Sequence, residues 1–189
     1  MGQLVAGIGL FFFAHALPLI GTLRARLVQA FGGEQRYLLG FALASLIGMI
    51  LMARGYGAMD YVALWDPPRW TRAVAFVLML PVFSLMIAAY LPGTLRKAIP
   101  HPMLLGVKLW ALAHLIANGD LGSLLLFGSF LAYGVIDLIS VKRRHRAAGR
   151  TPTIGPVRND IIALVAGLAI YGVTMVWGHA AIIGVALVG

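Results

Sequence analysis

HPMLLGVKLWALAHLIANGD, residues 101–120, places two histidines, a lysine and a tryptophan inside an apolar run of the length that crosses a bilayer. An ionisable group in hydrocarbon costs at least about 2 to 3 kcal/mol, so each of these side chains needs either a structural partner or a function. The run opens on His101-Pro102, and a proline at the first helical position fixes a helix start. It closes on Asn118-Gly119-Asp120, a turn too short for anything but an antiparallel hairpin with the apolar segment that follows. Reading this stretch as a membrane helix decides the fold.

Outward from that run, the 189-residue chain is 61% hydrophobic and 11% charged, the balance of a polytopic membrane protein. Apolar stretches of spanning length recur near residues 4–23, 37–53, 72–91, 102–118, 121–141 and 160–179. They predict an all-α bundle of about six transmembrane helices. Short connections leave no soluble module over, so residues 1–189 read as one transmembrane domain. Ala14-His15-Ala16 imitates a signal cleavage site, yet no Lys or Arg precedes the first apolar run, and Arg24 and Arg26 follow it. That run is therefore retained as a helix. Lipid is as apolar as leucine, so helix contacts rely on small residues. Gly40, Ala44 and Gly48 form one such stripe, and Gly128 with Ala132 and Ala163 with Gly167 form shorter ones. Pro18 and Pro81 interrupt the hydrogen-bond ladders of the first and third spans, and a kink at Pro18 frees a carbonyl beside His15.

The formal charge of +9 is unevenly spread. Arg24, Arg26 and Arg36 occupy the first connection, Arg96 and Lys97 the third, and Lys142, Arg143, Arg144, Arg146, Arg150 and Arg158 the fifth. The other side carries Arg54, Arg69 and Arg72 beside Asp60 and Asp66. The positive-inside rule makes the first set cytoplasmic and puts both termini on the periplasmic side. Trp65, Trp70, Trp177, Tyr56 and Tyr61 then collect at the outer interface as an aromatic belt. The same rule accounts for KRRHRAAGR, 142–150, as a solvated loop touching anionic headgroups, which makes membrane lipids a partner and excludes nucleic acid. Cysteine is absent, so any metal or cofactor is held by histidine or oxygen ligands and without a thioether bond.

His145, in the basic loop, reads as solvated surface, and His179, beside Trp177, as an interfacial residue. His101 is either interfacial too or a donor to a carboxylate or phosphate at the cytoplasmic mouth. Lys108 either pairs with Asp137, which the hairpin brings within about two turns, or holds an anionic ligand group. His15 follows Phe11 and Phe12 at helical spacing. His114 shares its face with Val107, Trp110 and Asn118, about 120° away from Lys108. Each of these two is a core histidine bonded to a neighbouring helix or a ligand. As a pair from different helices, flanked by Phe, Trp and Leu and remote from carboxylates, they suit axial ligation of a planar apolar macrocycle better than a zinc site.

FFFAHALP (11–18) together with HPMLLGVKLWALAHLIANGDLGSLLLFGSFLAYGVIDL (101–138) resembles the NnrU family of bacterial membrane proteins. That family is associated with denitrification and nitric oxide metabolism, and shares its domain with the plant 15-cis-zeta-carotene isomerase. The resemblance implies a multi-pass protein of the bacterial inner membrane carrying non-covalent haem b, with His15 and His114 as axial ligands. On that basis the reading preferred here sets Trp110 against the macrocycle and His101 or Lys108 near the propionates, with Asn118 in the same cofactor-binding set. The implied role is electron transfer, sensing or support of nitric oxide reduction, with redox or nitric oxide reductase partner proteins; no catalytic residue is assigned. The isomerase has a cysteine just after the tryptophan of this motif where this chain has Ala111, so ligand switching by a thiolate does not carry over. Three alternatives stand beside this reading: an isomerase-like enzyme acting on a polyene, a non-haem assembly protein, and a relative of the isoprenylcysteine-type methyltransferases. The last rests on His101-Pro102 followed by Gly106, with Pro100 where those enzymes carry an arginine.

Overall fold

The structure is a computed structural model that describes residues 1–188. All regular structure among them is helical, apart from an isolated antiparallel bridge between Ala63 and Asp120. The helices are α1 (Gly2–Ala16), α2 (Gly21–Ala30), α3 (Glu34–Gly57), α4 (Trp70–Met79), α5 (Val82–Tyr90), α6 (Pro102–Ala117), α7 (Leu121–Ala147), α8 (Val157–Val173) and α9 (His179–Ile183). Five helical runs are long and apolar enough to cross a membrane: Gly2–Leu19, Glu34–Gly57, Trp70–Tyr90, Leu121–Ala147 and Val157–Ile183. The expected fourth span, 102–118, becomes α6, whose 16 residues reach only about 24 Å. Large apolar side chains turn outward along these runs, among them Leu39, Leu43, Leu46 and Ile50 of α3 and Val165 and Leu168 of α8. That is the inverse of a water-soluble fold and the surface that lipid contacts, so the chain is a multi-pass membrane protein.

Contacts gather the chain into two compact units, the first made of Met1–Asp66 with Asn118–Tyr133 and the second of Pro67–Ala117 with the chain from Gly134 onward. In the first unit α1 lies against α3 with almost no side chain between them. A Cβ on Gly48 would stand 2.9 Å from Phe11 Cβ, one on Gly7 would stand 2.6 Å from the Met52 nitrogen, and one on Gly55 would meet the Leu4 backbone. The small-residue stripe foreseen at Gly40, Ala44 and Gly48 thus continues to Gly55, while Gly40 itself meets the Phe31 ring. The start of α7 joins this unit through Phe130, whose ring lies 5.4 Å from Phe11 and 5.0 Å from Phe12. Its first turn is capped by Asp120, which accepts the Ser123 backbone N–H at 2.8 Å and the Ser123 hydroxyl at 2.6 Å. Ser123 is fully buried and shares a 2.8 Å hydrogen bond with Tyr56. Tyr56 therefore also packs α3 on α7, whereas Tyr61 stays exposed.

In the second unit, Pro81 breaks the third span into α4 and α5 as its missing N–H requires. α5 packs on α8, where a Cβ on Gly167 would meet the Ser84 backbone, and on α6, where one on Gly106 would stand 3.4 Å from Leu85 Cβ. The Ala163–Gly167 stripe is thus a packing face, whereas Ala132 of the supposed Gly128–Ala132 stripe is exposed. Asp160 ties α8 to the 3₁₀ turn Thr94–Lys97, accepting from the Thr94 N–H at 2.7 Å, the Thr94 hydroxyl and the Leu95 N–H at 3.2 Å. α6 and α7 run antiparallel, as the short turn between them demands: the Lys108 stem lies against Gly134, and the His101 ring is 5.0 Å from that of His145.

Three segments differ from the sequence reading. The first connection holds a helix, α2, which stops at Gly32, a residue with φ 74° that a side chain rarely adopts. Residues 142–147 of the basic run continue α7 and are not a loop, because Lys and Arg favour helix and suit a helix C-terminus. The last span passes through a π-turn at Thr174–Gly178 into α9 and ends at Ile183, where Gly184 takes a left-handed conformation. Residue 189 lies outside the described residues.

Candidate functional site

His15 sits in the last turn of α1, where its Nδ1 bonds the Phe11 carbonyl at 2.8 Å. A carbonyl only accepts, so Nδ1 is the donor of this bond. The Phe11 ring stacks on the imidazole at 3.9 Å and 22°, with Phe41 at 4.9 Å and Tyr133 edge-on at 5.9 Å. The carbonyl expected to be freed beside His15 by Pro18 has a donor, since the Tyr133 hydroxyl reaches the His15 oxygen at 2.9 Å. The imidazole is thus fixed in tautomer and in plane by an aromatic enclosure from α1, α3 and α7.

His114 repeats the arrangement on α6. Its Nδ1 donates to the Trp110 carbonyl at 2.8 Å, and the Trp110 ring lies 5.3 Å away at 53°. Both rings are partly buried. His179, whose Nδ1 donates to the Val185 carbonyl at 2.7 Å, is the ionisable group that acts on His114 electrostatically. His15 and Asn118 belong to the first unit, and His101, Lys108, Trp110 and His114 to the second. The donor chemistry fits a haem: a macrocycle's iron asks one or two neutral imidazole nitrogens of the protein, each held by a hydrogen bond through its other nitrogen. Among the described residues no three of His, Cys, Asp and Glu gather as a bare metal ion requires.

The remaining assigned residues diverge. Asp137 pairs with Arg144 at 3.7 Å, two helical turns along α7, so the expected Lys108–Asp137 bridge is not the one formed. Lys108 is half-buried with its stem along Gly134. His101, just before α6, opens on a cavity of about 630 Å³ that it shares with His145 and Arg96. Burial first, then the positive fields of His145 and Lys142, hold the His101 imidazole below the ordinary histidine range. His145 is half-buried here and not solvated surface. The signal that could have found it is the antiparallel hairpin, since a helical 142–147 brings position 145 alongside position 101. Asn118 sits in the turn, partly buried.

A family model described as NnrU protein matches residues 3–187, nearly the whole chain, and the chain belongs to that family. Neither the curated proteins nor the solved structures give a match.

Proposed function

From membership of the NnrU family, we propose that the chain is a haem b-binding protein of the bacterial inner membrane that serves nitric oxide metabolism in denitrification, with His15 and His114 as candidate axial ligands. The observation that carries this reading is the shared arrangement of the two imidazoles. In both, Nδ1 donates to the carbonyl four residues earlier, and an aromatic ring from that same residue lies against the imidazole. A haem, when bound, supplies one-electron redox chemistry. The protein's part is to orient each imidazole, exclude water with Phe11, Phe41, Phe130 and Trp110, and place a cation near anionic groups. Lys108 is the candidate for that last role, and Asn118 lies in the turn immediately after α6. Were both histidines to hold the group, it would suit electron transfer to a redox or nitric oxide reductase partner. The basic ends of α2 and α7 mark the cytoplasmic face by the positive-inside rule, with both termini periplasmic.

Visible absorption of protein purified in detergent from haem-replete cells tests the reading. A Soret band is expected in the wild type, with its loss or a clear shift in both His15→Ala and His114→Ala. A colourless wild type overturns the haem reading, and unchanged bands in both variants overturn the ligand assignment.

A further inference from the structure

The basic end of the second unit holds a cavity that shares only His101 with the residues weighed for the haem. It measures about 630 Å³, within the range of small-molecule sites. Arg96, His101, His145 and Arg150 line it, together with Thr151 and Thr153, and no acidic side chain does. The positive-inside rule explains why arginines abound at this end, but not why two of them converge with two histidines on one concavity from three separate segments. Arg96 comes from the 3₁₀ turn, where it donates through Nη2 to the Ala89 carbonyl, while its Nε is buried without a hydrogen-bond partner among the described residues. His101 and His145 meet across the α6–α7 hairpin at 5.0 Å, an approach that repels when both are protonated. Asp137, which acts on His101 electrostatically, is already paired with Arg144. Met103 and Leu104, also in the lining, lie in the first turn of α6, where helix geometry leaves backbone N–H groups without intrahelical acceptors.

We propose that this cavity is a binding site for a phosphate-bearing anion, held by Arg96, His101, His145 and Arg150 with the Thr151 and Thr153 hydroxyls. Guanidinium forks, imidazole N–H groups, hydroxyls and a helix N-terminus are the donors that a phosphate with several acceptor oxygens satisfies together. The shared chemistry has two sources, an anionic phospholipid headgroup and a free phosphate ester, and both fit a cavity of this volume at the end of a membrane bundle. The site stands independently of the haem assignment, since none of its residues is a candidate axial ligand.

Detergent-purified full-length protein is titrated by calorimetry with inorganic phosphate, and in parallel with dihexanoyl-phosphatidylglycerol against dihexanoyl-phosphatidylcholine. Saturable binding is expected, weakened about tenfold in Arg150→Gln and in His145→Gln and unchanged in Arg158→Gln, which removes a cation outside the cavity. Both variants lie at or beyond the end of α7, where folding is least at risk, and circular dichroism confirms it. Binding of inorganic phosphate assigns a free ester, and binding of phosphatidylglycerol alone assigns the lipid headgroup. No saturable binding of either probe overturns the proposal, as does an equal loss in Arg158→Gln, which marks diffuse electrostatics.

Discussion

Replacing Gly48 by alanine tests the contact that positions His15. The added Cβ would lie 2.9 Å from Phe11 Cβ, 3.0 Å from its nitrogen and 3.1 Å from its Cα. Carbon atoms in ordinary contact stand about 3.5 to 4.0 Å apart, so α1 must retreat by about 0.5 to 1 Å. Two of the three obstructing atoms are backbone, and no rotamer change relieves them. Overpacking of this kind costs about 1 to 3 kcal/mol. The retreat also opens the Gly7–Met52 and Leu4–Gly55 contacts, where a gap of that width forfeits about a quarter to a half of the dispersion energy. We therefore expect about 2 to 3 kcal/mol of destabilisation, or about 5 to 10 °C in Tm for a chain of this size. Thermal unfolding followed by circular dichroism in detergent reads this, with Gly9→Ala as the comparison. Gly9 is exposed on α1 with no neighbour within 4 Å of a new Cβ, so alanine there gains about 0.5 to 1 kcal/mol of helix preference. Because Phe11 both stacks on His15 and accepts its Nδ1–H, Gly48→Ala also moves the ring-current-shifted imidazole resonance of His15. A Tm for Gly48→Ala equal to that of Gly9→Ala refutes the reasoning.

Two further outcomes follow. Asp120→Ala removes the cap of α7 and leaves Ser123 without its carboxylate partner, for a loss of about 1 to 2 kcal/mol in thermal unfolding, most of it restored by Asp120→Asn. The His101 shift gives a pH dependence. Burial and the neighbouring cations lower its folded-state value, so below about pH 6.5 the unfolded chain binds more protons, and stability falls as the pH falls through that window. Above it both states are neutral and the contribution vanishes. A Tm profile from pH 8 to 5 is expected to drop less steeply at the acid end in His101→Gln, with Arg96, Lys142, His145 and Asp137 the other charges acting there.

Element existence was largely legible. Apolar runs of bilayer length, Pro102 at a helix start, Pro81 as a break and Asn118-Gly119-Asp120 as a turn act through neighbours in sequence, and each reappears in the structure. The candidate ligands were legible too, because an ionisable side chain inside hydrocarbon stands out without any knowledge of its surroundings. Their fixed tautomers were not, since these depend on whether a ring turns back to its own helix. His145 passed as solvent-facing because a basic run reads as a loop until the helix carrying it is seen to continue. Asp137 pairs with Arg144 and not with Lys108 because a partner two turns along the same helix needs no second element to be in register.

The amino-acid sequence alone determined that this is a multi-pass helical protein of the NnrU family, and which histidines lie within its apolar helices. Those properties rest on transfer free energies and hydrogen-bond ladders that accumulate over adjacent residues. Only the tertiary structure decided that Gly48 and Gly55 seat α1, that Tyr56 and Asp120 meet at Ser123, and that Arg96, His101, His145 and Arg150 share one cavity. Such meetings depend on how far each helix is rotated and displaced along its axis, quantities that close packing between distant segments sets and that no local periodicity encodes.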